Sequence, residues 1–123
     1  MSELRVNTIT NEDGTGSPTF PNGVKDASQL FTTTIAGSNS ASDWVQSSNT
    51  DPWIATQTVS GILDTDVPIV DIDLSNVAFS DVATVQSDWA LVYLVESSAN
   101  NELKFYAINE PTSDFEVQVK VIR

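Results

Sequence analysis

The stretch Phe115-Glu116-Val117-Gln118-Val119-Lys120-Val121 puts four apolar residues at alternate positions with three polar residues between them. Successive side chains of an extended chain point to opposite sides, so a period of two gives one apolar and one wet face. A helix would scatter the same residues around its circumference and bury none of them well. The segment is therefore expected to be a half-buried strand, and the rest of the chain has to supply the surface that covers it.

Other segments offer partners. Trp89 to Val95 is apolar at nearly every position and bounded by Asp88 and Glu96, which predicts a strand buried on both faces. The polar cluster Ser97 to Asn101 is expected to fold it back onto Leu103 to Ile108 as a hairpin. Trp53 to Gly61 and Val67 to Leu74 add two more extended pieces, with Pro68 holding the latter to a strand start or an edge. Only Asp81 to Trp89 reads as a short helix. Val, Ile and Thr are abundant and Met occurs once, a composition that favours strands. No connection holds the helical residues of a parallel crossover, so the expected fold is all-β, a small antiparallel β-sandwich of about five to seven strands.

The first half of the chain is different material. Residues 1–24 are poor in large apolar side chains and read as an extended N-terminal arm, with a short alternating stretch at Leu4, Val6 and Ile9. A turn follows at Asp13-Gly14, and then a second extended piece at Phe20-Pro21. Residues 25–52 read as a polar connector with a candidate edge strand at Leu30 to Ile35, and residues 53–123 as the sandwich domain. Trp44 and Trp53 flank Gln46 to Pro52, which leaves open a start for the globular part at Asp43.

Charge and chemistry narrow the function. Five Lys and Arg against 17 Asp and Glu give a net charge of −12, which repels nucleic acid and anionic membranes and keeps a β-rich chain soluble. There is no Cys and no His, so disulfides, thiol nucleophiles, the usual zinc sites and the commonest neutral-pH proton carrier are all missing. No phosphate-binding loop, dinucleotide fingerprint or serine nucleophile elbow is present, and neither an enzyme nor a cofactor is expected. The N-terminus shows no basic, apolar leader pattern, and synthesis in the cytoplasm is expected. Asp64, Asp66, Asp71 and Asp73 form the densest carboxylate cluster, but they lack the spacing and the glycine of a calcium loop. They read as turn aspartates and a solvated strand face, with a weak calcium site between subunits as the lesser alternative.

The candidate core or subunit-interface residues are Trp53, Ile69, Trp89, Tyr93, Phe105, Phe115, Val117 and Val119. Trp44 and Tyr106 neighbour polar stretches and are candidate glycan contacts. A sandwich of some seventy residues without disulfides or metals gains stability from oligomerisation, so self-association is expected.

Two segments carry a resemblance. Leu4-Arg5-Val6-Asn7-Thr8-Ile9-Thr10-Asn11-Glu12-Asp13-Gly14-Thr15-Gly16-Ser17-Pro18-Thr19-Phe20-Pro21-Asn22-Gly23-Val24 resembles the N-terminal segment of tail-fibre and virion structural proteins of phages, notably those infecting cyanobacteria. Val59 to Asp71, with Trp89 to Tyr93, Tyr106-Ala107, Glu110-Pro111-Thr112 and Val117 to Arg123, is similar to the C-terminal module of phage tail proteins. The resemblance implies a structural protein of the virion that acts as a homotrimer and contacts other tail, baseplate or capsid proteins. Its arm residues Leu4, Val6, Ile9, Phe20 and Pro21 would attach it to the particle. In such proteins receptor-binding material lies between the two ends, and here almost nothing is inserted. The expected function is a short tail or baseplate fibre subunit. The alternatives are a capsid decoration (cement) protein that bridges coat subunits, or a carbohydrate-binding module that recognises a host surface glycan.

Overall fold

The computed structural model describes residues 28–123, and the expected arm residues Leu4, Val6, Ile9, Phe20 and Pro21 lie outside them. In chain order the elements are β1 Ser28–Ile35, β2 Trp44–Val45, β3 Trp53–Thr58, β4 Ile69–Asp73, a 3-10 turn Phe79–Asp81, α1 Val82–Trp89, β5 Val92–Ala99, β6 Glu102–Ala107 and β7 Phe115–Ile122. The seven strands form two antiparallel sheets, one ordered β1-β7-β4 and the other β2-β3-β6-β5. The all-β, two-sheet reading of the sequence is the fold.

The two central strands are those whose sequences alternate most regularly. On β7, Phe115, Val117, Val119 and Val121 are buried, while Glu116, Gln118, Lys120 and Ile122 point away from the core. On β6, Leu103, Phe105 and Ala107 are buried, and Glu102, Lys104 and Tyr106 take the other side. Their inner residues join Ile35, Trp44, Ala55, Val59, Ile62 and Val85 in a single core. The candidate edge strand at Leu30 to Ile35 lies within β1, at one edge of the first sheet and paired with β7 from Ser28↔Ile122 to Ile35↔Phe115. Both sheets therefore draw strands from the segment read as a connector.

Trp89 to Val95 is not one doubly buried strand. Val85, Asp88 and Trp89 lie three and four residues apart, and an α-helical turn sets all three toward the interior. Trp89 closes α1, with its ring edge-on to Phe115 at a centroid distance of 5.7 Å. β5 starts only at Val92 and is an edge strand, so Tyr93 and Leu94 are exposed. A short apolar run is equally compatible with the end of a buried helix and the start of a strand, and the packing of Trp89 decides between them.

The expected Ser97 to Asn101 turn is tighter than its composition implied, because β5 runs on to Ala99. Asn101 takes a positive φ of 65°, which asparagine tolerates better than most residues. This residue also ties the neighbouring loop to the hairpin. Its N–H donates to Ile62 O at 2.7 Å, its carbonyl accepts from Val59 N at 2.9 Å, and its Oδ1 accepts from Gly61 N at 2.8 Å. Asn101→Ala is expected to cost about 1–2 kcal/mol in urea unfolding, from the left-handed backbone of a residue with a Cβ and the lost amide contact. Asn101→Gly keeps the backbone and should recover more than half of that loss; equal losses for the two variants would assign the effect to the side chain alone.

Candidate interaction surface

Strand register sets which side chains share each outer face. On the four-stranded sheet Val45 pairs with Ile54, Ile54 with Tyr106 and Tyr106 with Leu94, so an apolar row crosses all four strands on the side away from the core. Val45 is 64 % exposed and Leu94 44 %, while Ile54 and Tyr106 are half-buried. The next row reads Thr56, Lys104, Glu96. Asp43, Val45, Ser47, Ile54, Thr56 and Lys104 line a shallow groove of about 420 Å³ on this face. Tyr106 donates its hydroxyl hydrogen bond to the Glu96 carboxylate, which, with some burial and the nearby negative charge, pushes the phenol up to about 12. Its ring lies 6.4 Å from that of the exposed Tyr93.

The outer face of the three-stranded sheet is divided along the strands. Leu30, Lys120 and Ile69 form one row, and Thr34, Glu116 and Asp73 form another at the opposite end. The hydrogen bond that the Glu116 carboxyl makes to Asp73, with some desolvation and the nearby negative charge, raises the pKa of Glu116. Hydrogen bonds from the Ser75 hydroxyl and N–H hold Asp73 low. As the alternation implies, Asp71 and Asp73 point outward. Asp66 is turned instead to Arg123, whose guanidinium lies 2.7 Å from its Oδ2. Among the described residues no group of three Asp or Glu side chains gathers as a metal-ligand set, and no helix is long and apolar enough to cross a membrane.

At one end of the sandwich a cleft of about 560 Å³ runs between α1 and the loops, with Asp81 and Asp114 in its lining. Asp114 is engaged structurally: its Oδ1 accepts from Gly37 N at 2.8 Å and Ser40 Oγ at 2.7 Å. A Cβ on Gly37 would stand 2.3 Å from the Ser113 carbonyl oxygen, so only glycine fits this corner. Beside it, buried Asp88 accepts from Ser113 N at 2.9 Å and Thr112 Oγ1 at 3.2 Å. Burial raises its pKa, but the hydrogen bonds from Ser113 and Thr112 outweigh that and hold the carboxyl below the ordinary range.

The sequence-predicted residues divide among these environments. Phe105, Phe115, Val117 and Val119 are buried in the core, and Trp53 and Trp89 are half-buried against it. Ile69 and Tyr93 are both 57 % exposed and lie outside the core. Trp44 is corrected as a glycan contact: it is 3 % exposed, and its ring meets Phe115 edge-on at 6.5 Å. Its strand neighbour Val45 faces out, because β2 alternates like any strand. Tyr106 is on the outer face beside Tyr93, but register also places Val45, Ile54, Leu94, Lys104 and Glu96 there, a grouping that sequence reading did not assemble. The alternation of Leu103 to Ala107 already pointed Lys104 and Tyr106 to one side; cross-strand partners are not encoded in any local pattern.

Acid should expose the role of the structural carboxylates. Asp66, Asp73 and Asp88 all have lowered pKa values in the folded chain, so near pH 4 the unfolded chain binds more protons. Their stabilisation is full above the unfolded carboxylate range and is lost as pH falls through their folded values. The raised Glu116 contributes in the opposite sense. Stability in urea is therefore expected to hold between about pH 7 and 5 and to fall below about pH 4. Asp88→Asn should lower neutral-pH stability by about 1–3 kcal/mol and flatten the acid slope; an unchanged slope would remove Asp88 from this account. Comparison of the chain with protein families, curated proteins and solved structures finds no match to any of them.

Proposed function

We propose that this protein is a non-enzymatic structural subunit of a bacteriophage particle, a short tail or baseplate fibre piece that works as a homo-oligomer, three copies by its resemblance. Residues 1–24 attach it to the particle, and the two-sheet domain projects from that attachment. The observation that carries the reading is the apolar surface on the outer sides of the sheets. Leu30, Ile69 and Ile122 on one sheet and Val45 and Leu94 on the other are each more than two-fifths exposed in a single copy. A small domain with one core and apolar rows on its outer faces has surface to cover by association. The carboxylates of Asp66, Asp88 and Asp114 are meanwhile occupied by loop N–H groups, hydroxyls and Arg123, which suits a building role better than acid–base chemistry.

The reading is tested in the phage itself. Deletion of residues 2–24 should abolish incorporation into particles while the purified truncated protein keeps its β-rich circular dichroism spectrum and cooperative melting. A folded truncated protein that still enters particles would overturn the attachment role. Gold-labelled antibody on intact particles then locates the full-length protein. Label at the tail end fits the fibre reading, label spread over the head replaces it with a decoration protein, and absence from particles rejects both.

A further inference from the structure

Two sheets of unequal width leave edges open, and three of the four edge strands carry features that discourage pairing. β2 is two residues long, and β5 has register shifts at Val92/Leu94 and Ser97/Ala99. β4 is five residues long and carries Asp71 and Asp73, and Asp71 Oδ1 takes up the Ile72 N–H at 2.8 Å. β1 has none of these features. It runs for eight residues in unbroken register with β7 and holds no charged residue and no proline, and among the described residues no strand pairs with its other side. Thr33 Oγ1 donates to Gln57 Oε1 on β3 at 3.2 Å, so β1 stands opposite β3 and the four-stranded sheet extends past it by β2. Phe31 and Thr33, on the inner side of β1, are left half-buried. An open edge of this kind takes up an extended segment.

We propose that residues 4–10 of the same chain add to this edge as an eighth strand, antiparallel to β1, with Leu4 opposite Ile35 and Thr10 opposite Gln29. The segment is joined to β1 through residues 11–27, which return the chain to the Ser28 end of the edge, where an antiparallel partner must finish. Asp13-Gly14 and Asn22-Gly23 supply turn residues for that return. The outer face of the three-stranded sheet fixes the register. Of its rows, that of Leu30 and Ile69 is apolar at both edges, that of Thr32 and Gln118 is polar, and that of Thr34, Glu116 and Asp73 is acidic. The pairing sets Ile9 beside Leu30, Asn7 beside Thr32 and Arg5 beside Thr34 at the acidic row, while Leu4 and Val6 turn inward next to Ile35 and Thr33. A one-residue slip would turn Arg5 and Asn7 inward, and a parallel strand would put Arg5 at the apolar row and Ile9 at the acidic one. A second copy's β1 brings no cation to the acidic row, and it competes with a tethered strand at an effective concentration on the order of millimolar. This pairing goes beyond the proposed function and does not depend on it: Leu4, Val6 and Ile9 dock on their own domain, and the loop carrying Phe20 and Pro21 is left to meet the particle.

Amide hydrogen exchange of the full-length protein, read by NMR at single residues, tests the pairing. In the wild type, alternate amides of residues 4–10 and the β1 amides that do not bond β7 should exchange about tenfold or more slower than in an unstructured chain, at a rate independent of protein concentration. Val6→Ser, at an inward position, should raise exchange at both sets by about tenfold, and the same change at its outward neighbour, Asn7→Ser, by less than about threefold. Arg5→Glu should raise it by about threefold at low salt and by less at high salt. The β6 amides report the fold of each variant and should stay protected throughout. Unprotected residues 4–10 in the wild type would overturn the strand, and equal effects of Val6→Ser and Asn7→Ser would overturn its register. Protection that rises with concentration, together with dimer mass in sedimentation, would give the edge to a second copy. Failure of particle incorporation after the arm deletion bears on the proposed function alone.

Discussion

Both sheets depend on the inward residues of their central strands. Phe115, Val117, Val119 and Val121 form one side of the core and Leu103, Phe105 and Ala107 the other, and all seven are essentially excluded from water. At about 1.5–3 kcal/mol for each large apolar side chain removed from water, these few positions dominate the favourable free energy of a small domain. The outer strands are less independent. β1 and β4 are ordered by pairing to β7, and β3 and β5 by pairing to β6, so each adds inward residues only in the register that its central strand imposes. Trp44 and Trp89 then close one end, edge-on to Phe115 from two different elements.

How a chain this acidic folds is answered by where its carboxylates point. Asp43 accepts from Ala36 N, Asp66 from Leu63 N, Asp73 from Ser75 N, Asp88 from Ser113 N and Asp114 from Gly37 N. In each case an anion takes up a main-chain donor in a turn or at a strand end, where no ladder partner exists. Charge-assisted bonds of this kind are stronger than neutral ones, so the negative charge that opposes compaction globally also fixes the loops locally. Asp43 illustrates the economy: its Oδ2 accepts from Ala36 N and also from Gln57 Nε2, and thereby joins the end of β1, the start of β2 and the inner side of β3.

What could be read in the sequence was what depends on a strand's own period. Phe115 to Val121 and Leu103 to Ala107 announced both central strands, and Asp81 to Trp89 announced the short helix. Trp44 and the Trp89 to Val95 run were misleading because their neighbours in sequence are not their neighbours in space. Polar residues around Trp44 implied exposure, yet β2 alternates and turns that ring inward, while the apolar run is shared between a helix end and an exposed edge strand. Trp44 Nε1 is buried with no hydrogen-bond partner among the described residues, a cost that its packing against Phe115 helps to offset. The outer face of the four-stranded sheet was legible only in halves. Lys104 and Tyr106 belong together by alternation, but Val45, Ile54, Leu94 and Glu96 join them through pairings separated by up to about half the chain, which no local pattern records.

The few cations are dispersed rather than gathered. Arg5 and Lys25 lie outside the described residues, Arg123 is paired with Asp66, and the two remaining lysines stand one on each outer face. Lys120 sits between Leu30 and Ile69 with the carboxylates at the far end of its sheet, so on that face opposite charges are separated along the strands. Lys104 has its anion on the next strand in the same row, so there opposite charges are separated across the strands. A partner for either face must therefore match a different direction of charge separation.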